Sequence, residues 1–364
     1  MINFPTDYTA ILKRLYAINP IAYANTRNYI NGDVTYLSPY ISRGVLSITQ
    51  IAQAVLQKNE PYKIEKFLQE LAWRLYWQSI WKTKGAALFT DIKQPQNNVQ
   101  HHQMVAAITQ TNTGINALDT YINQLYKTGY MHNHVRMYLS SLACNIAHAH
   151  WLQPAQWMYY HLLDGDIASN TLSWQWVAGT FSSKKYYCNQ ENINRYTNTN
   201  QTQTYLDTSY DALQTMQTPI VLQEKTNFNS TTILPETLWP NIENDYPILI
   251  YNSYNIDPLW HSNTPANRIL LLEPSHFLKY PVSNTVLQFI LNLSKNIEGI
   301  QIFTGEFSAL QSKYNNTIIY KSHPTCTHYK GLAENSIDEP LIIPGNFSSF
   351  FNFWKKCKPI LINQ

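Results

Sequence analysis

The sequence predicts a mainly α chain with a second, smaller α/β domain: a helical domain over residues 1–200, a linker over 201–240, and a parallel, Rossmann-like sheet over 241–364. Three observations carry this. Apolar residues recur at three- and four-residue intervals through residues 7–178, the period of an amphipathic helix. Residues 198–240 are rich in Thr, Asn, Gln and Pro and show no clear period. From about residue 245, short apolar runs alternate with helical stretches, the order that builds a parallel sheet with crossover helices.

In chain order, helices are expected at 7–18, 45–57, 62–83, 115–127, 130–150 and 154–163, punctuated by turn signals such as Asn31-Gly32 and Pro95. Strands are expected at ILIYNS (centred on 249–253), RILLLEP (268–274), IQIFTGEF (300–307), TIIYKSH (317–323) and LIIP (341–344), with helices at 284–296 and 347–357. No internal repeat and no GxGxxG or GxxxxGK motif occurs.

At 364 residues the chain is long enough for two domains with cores that need no staples. Charged and aromatic residues each reach 13%, a balance suited to aromatic cores or stacking sites. Residues 1–200 hold 16 basic against 10 acidic side chains, and the remainder 10 against 13, so the first part is the one suited to a polyanion. Cys144, Cys188, Cys326 and Cys357 lie far apart with no CxxC pair. That argues against a disulfide framework, a zinc site or a cysteine-held cluster. His101, His102, His148, His150 and His161 are spaced irregularly with no interleaved carboxylates, so no metal is expected. The first residues carry no basic-then-apolar leader and no run of about 18 apolar residues occurs, so a cytoplasmic protein without membrane contact is expected.

The segments that carry chemistry are few. Tyr23, Arg27 and the turn Val34-Thr35-Tyr36-Leu37-Ser38-Pro39 place hydroxyls and amides at a helix start. They suit either a phosphate cradle or an ordinary N-cap. In FLQELAWRLYWQSIW, Glu70, Trp73 and Trp77 share one face. Trp77 and Trp81 read as buried aromatic stripe, whereas a carboxylate on an aromatic face needs a partner. Between residues 128 and 176 the chain reads TGYMHNHVRM, HWLQPAQW and LLDGDIASNTLSWQW. Asn133, Arg136 and Met137 fall on one helix face, Arg136 needs an anion, and Asp164 is the natural candidate. Trp174 and Trp176 diverge by about 200° on a helix, so they point to two different jobs.

Over about residues 5–196, this MHN, DGD, Asn170 and WQW constellation resembles the DNA photolyase/cryptochrome family, and cyclobutane pyrimidine dimer photolyases in particular. The resemblance implies an all-helical FAD-binding domain. Tyr23, Val34, Thr35, Tyr36, Leu37 and Ser38 would hold the flavin diphosphate, and Arg74 would lie beside the isoalloxazine. Arg136 and Asp164 would pair next to the ring, Gly165 and Asp166 would approach its ribityl and N3/O4 edge, and Asn170 would face N5. Glu70 would hydrogen-bond a damaged base, Trp73 would pack on it, and Asn133, Met137 and Trp176 would line the lesion pocket. Trp174 would be the first electron donor and Trp151 the second. The usual third tryptophan has no counterpart near residue 98, and whether Trp157 or a tyrosine substitutes for it is left open.

Departures from the family pattern are His134 for an arginine, Tyr130 for a tryptophan, and GTFSSKKYYCNQENINRY, where an arginine-bearing loop is usual. Lys184, Lys185 and Arg195 would supply the missing phosphate contact. RILLLEPSHF through GEF loosely resembles the family's antenna domain in permuted order, its pigment unspecified. The implied activity is light-driven repair of pyrimidine dimers in DNA, a carbon–carbon lyase reaction. The alternative is a cryptochrome-like blue-light sensor whose C-terminal domain serves a protein partner.

Overall fold

In the computed structural model, which describes residues 3–363, the apolar runs of the C-terminal third pair into one parallel sheet. Its strands are β1 (Ile248–Tyr251), β2 (Asn267–Leu272), β3 (Ile300–Thr304), β4 (Ile318–Lys321) and β5 (Leu332–Glu334), in the order β3-β2-β1-β4-β5. The central strand ILIY is buried at every position, the continuous apolar pattern of a strand covered on both faces. Helices Asn284–Ser294 and Phe307–Lys313 supply crossovers. Ile248, Ile250, Ile269, Leu271, Phe303 and Phe307 form a core on this sheet. The expected strand LIIP (341–344) is not formed. Pro340 and Pro344 flank it and cannot donate to a ladder, and a 3₁₀ turn, Glu339–Leu341, stands there instead. The fifth strand is the short LAE at 332–334, too brief to show a period.

The chain packs as two units that cross the expected 1–200, 201–240 and 241–364 division. One consists of residues 1–18, 35–82 and 230–364, the other of residues 19–34 and 83–229. Within the first of these, segments from 3–18 and 35–82 join the C-terminal part through specific hydrogen bonds. Tyr8 N donates to Asn296 Oδ1 at 2.9 Å, and Asn296 Nδ2 donates to Thr6 O at 2.7 Å. The Asp338 carboxylate accepts from Ile48 N and Thr49 N at 2.8 and 2.9 Å, capping the helix Ile48–Leu56. At the C-terminus, helix Phe350–Ile362 is tied down by Trp354 Nε1 and Lys358 Nζ, which donate to Glu65 Oε1 at 3.2 and 2.8 Å.

The other unit is helical, with Asn116–Thr128, Asn133–Ser141, Leu152–His161, Ile167–Ala178 and Gln190–Thr197 around a core that includes Leu118, Ile122, Val135, Leu139, Trp151, Trp157 and Trp174. The expected helix over 130–150 is interrupted. Its α part ends at Ser141, a π turn follows at Leu142–Ile146, and His148 takes a positive φ of 56°. Asn145, inside the π turn, donates to Val177 O and Tyr186 O at 3.1 and 2.7 Å. The stretch expected as a linker is anchored for most of its length. Leu206, Leu213 and Leu222 are buried in the helical core, and Lys225–Thr226 pairs antiparallel with Met104–Val105. Three apolar anchors among many Thr, Asn and Gln make no periodic signal, yet each removes a leucine from water.

Candidate functional site

Helix Asn133–Ser141 begins at His132, whose ring nitrogen accepts from His134 N at 3.2 Å and so caps the helix. From that start, Asn133 is exposed while Arg136 and Met137 are half-buried on one face. The Asn133 amide lies 3.9 Å from Met137 Sδ. Arg136 is fixed three ways: Nε donates to Met131 O at 2.8 Å, Nη2 to Asp164 Oδ2 at 2.9 Å, and the guanidinium lies over the Tyr130 ring at 5.6 Å. The ion pair expected from the sequence is therefore present, and Asp164 is only 8% exposed. Tyr130, in place of a tryptophan, keeps an aromatic face under the arginine.

The DGD turn then launches helix Ile167–Ala178. A Cβ on Gly165 would stand 3.0 Å from Leu162 O and 3.1 Å from Tyr159 O, so the close approach of the turn to the preceding helix favours glycine there. Asp166 is the N-cap, accepting from Ser169 N at 2.7 Å. Asn170 donates to Ala155 O at 2.8 Å. Both residues expected at the cofactor edge thus also hold the helix in place.

On this helix the two indoles separate as expected: Trp174 is 1% exposed and Trp176 37%. Trp176 lies 5.9 Å from the Tyr186 ring. Trp174 shares the core with Trp151 and Trp157, and its Nε1 has no hydrogen-bond partner among the described residues. Sequence reasoning missed Gln175, which lies between them fully buried. Its Nε2 donates to Leu88 O at 2.8 Å and its Oε1 accepts from Ile92 N at 3.3 Å, holding the 88–92 loop to the helix. Also missed was Asp91, whose Oδ1 accepts the Trp151 indole N–H at 2.7 Å. WQW itself was the signal for Gln175, since a glutamine between two opposed indoles has to be satisfied. Nothing in the sequence pointed to Asp91.

The cations of the 179–196 loop are engaged more than expected. Lys185 Nζ donates to Asn97 O at 2.7 Å, and Arg195 pairs with Glu191 at 2.9 Å. Lys184 is exposed. His134 does not act as a surface cation. It stacks on Tyr138 at 4.9 Å and lies 4.5 Å from the Tyr196 ring, with Nδ1 bonded to Asn28 O at 2.8 Å. Tyr23 is half-buried in helix Pro20–Thr26, and Val34 closes the following turn through its N–H to Gly32 O at 2.9 Å.

In the sheet unit, Thr35, Tyr36 and Leu37 lead into helix Ser38–Ser42. Leu37 occupies the N-cap position without a side-chain cap bond, so the ordinary N-cap reading of this turn is not realised. Tyr36 takes a positive φ of 54°, an uncommon strain for a residue with a Cβ. Arg74 donates to Ser42 Oγ at 3.2 Å. Glu70 pairs with Lys66 at 2.8 Å. Phe350 stacks on Trp73 at 3.9 Å and 9°, so one face of the ring meets an aromatic side chain of the C-terminal helix.

Buried histidines make the helical unit acid-sensitive. Burial, reinforced by His134 and Arg136, pushes His132 down to about 4, and burial alone does the same for His161. The unfolded chain takes up these protons first, so stability falls as pH drops from about 6.5 toward 4, by about 1.4 kcal/mol per unit per histidine. His132→Asn, which retains a capping acceptor, is expected to remove one histidine's share. Urea midpoints at pH 7 and 4.5 check this, and an undiminished acid slope in the variant would refute it.

The residues present fit a large polar-edged ring system. Ser169 Oγ and Trp174 Nε1 are buried without partners among the described residues, on the helix that follows the DGD turn and its buried ion pair. The FAD binding domain of DNA photolyase matches residues 67–253. The deoxyribodipyrimidine photo-lyase of Synechococcus is 30% identical over 194 residues, covering 49% of this chain and 40% of that protein. The Escherichia coli photo-lyase is 31% identical over 156 residues, covering 40% and 32%. The chain thus spans about a third of the length of the curated relatives it matches. Among solved structures, the Synechocystis cryptochrome is 24% identical with a TM-score of 0.47, over 54% of this chain and 44% of that one. The photolyase of Sulfolobus tokodaii, solved with two FAD molecules, is 20% identical with a TM-score of 0.42, over 54% and 46%. With just over half of its length matched, the chain belongs to the DNA photolyase/cryptochrome family and carries that family's FAD-binding domain.

Proposed function

We propose that the protein repairs cyclobutane pyrimidine dimers in DNA by light-driven electron transfer. The observation that carries this reading is the split of the two indoles on helix Ile167–Ala178, with Trp174 sealed in the core and Trp176 open to solvent. A relay donor must be shielded from water, and a base-stacking platform must be reachable. The chemistry that bound, reduced FAD supplies is light-driven donation of an electron and its recovery.

The chain's residues do the rest. Arg136 and Asp164 would hold the ring, Gly165 and Asp166 its ribityl side, and Asn170 would offer a neutral amide toward N5. Tyr23 and residues 34–38 hold the diphosphate, with Arg74 near the ring. Trp174 and Trp151 return electrons to an oxidised cofactor. Trp176, Asn133 and Met137 receive a dimer extruded from the duplex, with Glu70 as its hydrogen-bond partner and Trp73 packed against it. The α/β segment over residues 241–364 serves as an antenna-like module in permuted order.

A second reading, a blue-light sensor without repair, is favoured by one feature. Phe350 covers the Trp73 face at 3.9 Å, as a chain that never receives a base there can afford. Illumination of fully reduced protein with an oligonucleotide carrying one thymine dimer decides between them. Repair restores absorbance in the normal base band. Trp176→Ala is expected to weaken binding to dimer-containing DNA by about 5- to 150-fold, the worth of one stacked base at about 1–3 kcal/mol. No repair at any salt, with no preference for damaged over intact DNA, would leave the sensor reading.

A further inference from the structure

The indole N–H of Trp151, a fully buried side chain, donates to Asp91 Oδ1 at 2.7 Å. The loop that carries Asp91 is held in place at several points. Asp91 Oδ2 accepts from Gln96 N at 2.8 Å, Gln96 Nε2 donates to Ala149 O at 2.8 Å, and Trp151 N donates to Gln96 Oε1 at 3.0 Å. Beside the same carboxylate, His150 Nε2 stands 3.5 Å from Oδ1. His150 Nδ1 accepts from Leu152 N at 3.3 Å, so in the neutral ring the proton sits on Nε2, facing Asp91. His150 stacks at 4.7 Å and 24° on His102, which is exposed. Trp174 offers a contrast, because its N–H has no acceptor among the described residues.

We propose that Asp91 is the proton acceptor for oxidised Trp151, which makes Trp151 the terminal donor of the electron relay in this chain. The proposal rests on the reading of Trp174 and Trp151 as donors. With FAD bound, Trp151 would give up one electron by way of Trp174. The indole radical cation left behind is far more acidic than indole. Its Nε1–H bond breaks, the electron pair stays on nitrogen, and the proton bonds to Asp91 Oδ1. A neutral indolyl radical remains; an external thiol would return the electron across the protein layer at Asp91, whose side chain is 23% exposed, and the proton would come back from Asp91 Oδ1. A carboxylate already at hydrogen-bond distance needs no rearrangement to take the proton. Proton transfer also slows charge return, because the electron can then go back only together with the proton held on Asp91. The absent third tryptophan is replaced by a base at the second.

Flash photolysis of FAD-loaded protein tests this. Wild type is expected to give the neutral indolyl band, formed more slowly in deuterated solvent. In Asp91→Asn, whose single amide oxygen can still accept from the indole while its Nδ2 replaces the acceptor of the Gln96 N–H, proton loss is expected to slow by about 10²-fold or more, the contribution of a positioned base, so the cation band persists. A readout independent of the cofactor is the Trp151 indole N–H resonance in flavin-free protein. It should lie downfield and exchange slowly, and Asp91→Ala should abolish both properties. Trp151→Phe separates the two levels of the proposal. Unchanged photoreduction in that variant overturns the relay itself. Lost photoreduction in Trp151→Phe, with a neutral radical forming at the wild-type rate in Asp91→Asn, makes Asp91 a loop anchor only and overturns the proposal. Absence of a neutral indolyl radical in wild type overturns it too.

Discussion

Trp174→Phe is expected to abolish light-driven reduction of oxidised FAD while leaving FAD bound. Trp174 is 1% exposed within a core shared with Trp151 and Trp157, so no solvent reductant reaches that position directly. Indole gives up an electron far more readily than phenyl, and phenylalanine keeps the apolar contacts. The substitution deletes part of a buried ring, and large-to-small changes in cores cost a few kcal/mol, so it should lower stability without unfolding the helix. Because the Trp174 N–H has no partner among the described residues, its removal leaves no orphaned acceptor in the protein. Steady blue light with a thiol present, followed by flavin absorbance, reads the effect. Unchanged bleaching would move the first donor elsewhere in the core, with Trp157 the next candidate.

Asp164→Ala is expected to cost both cofactor occupancy and stability. Arg136 is 20% exposed and Asp164 5% by side chain. Removing the carboxylate therefore leaves a mostly buried guanidinium without its counter-charge, a change worth about 3–5 kcal/mol. Met131 O and the Tyr130 ring still hold Arg136, which sets the loss toward the lower end. Asp164→Asn keeps an acceptor and should lose less. The flavin-to-protein ratio after purification and the urea midpoint are the two measurements. A variant with full flavin and an unmoved midpoint would take Asp164 out of the site.

The site was legible where chemistry is local. DGD followed by a helical run gives Asp166 as an N-cap, and the opposed faces of Trp174 and Trp176 follow from helical spacing alone. The Arg136–Asp164 pair was readable because a half-buried guanidinium requires an anion and the next buried carboxylate is near. Four sheet strands were readable as apolar runs between helices. Other features depend on which distant segment covers a face, and periodicity does not report that. Phe350 stacks on Trp73 across the length of the chain, and Asp91 meets Trp151 from 60 residues away on an aperiodic loop. Leu206, Leu213 and Leu222 anchor a stretch whose composition reads as a connector. LIIP misled because its apolar content was weighed without the prolines on either side.

The most direct test of a flavin-bearing electron relay is the absorption spectrum of the purified protein, taken before and during blue illumination with a thiol reductant. Oxidised-flavin bands that bleach under light are expected. A colourless protein that takes up no FAD on reconstitution would contradict the reading.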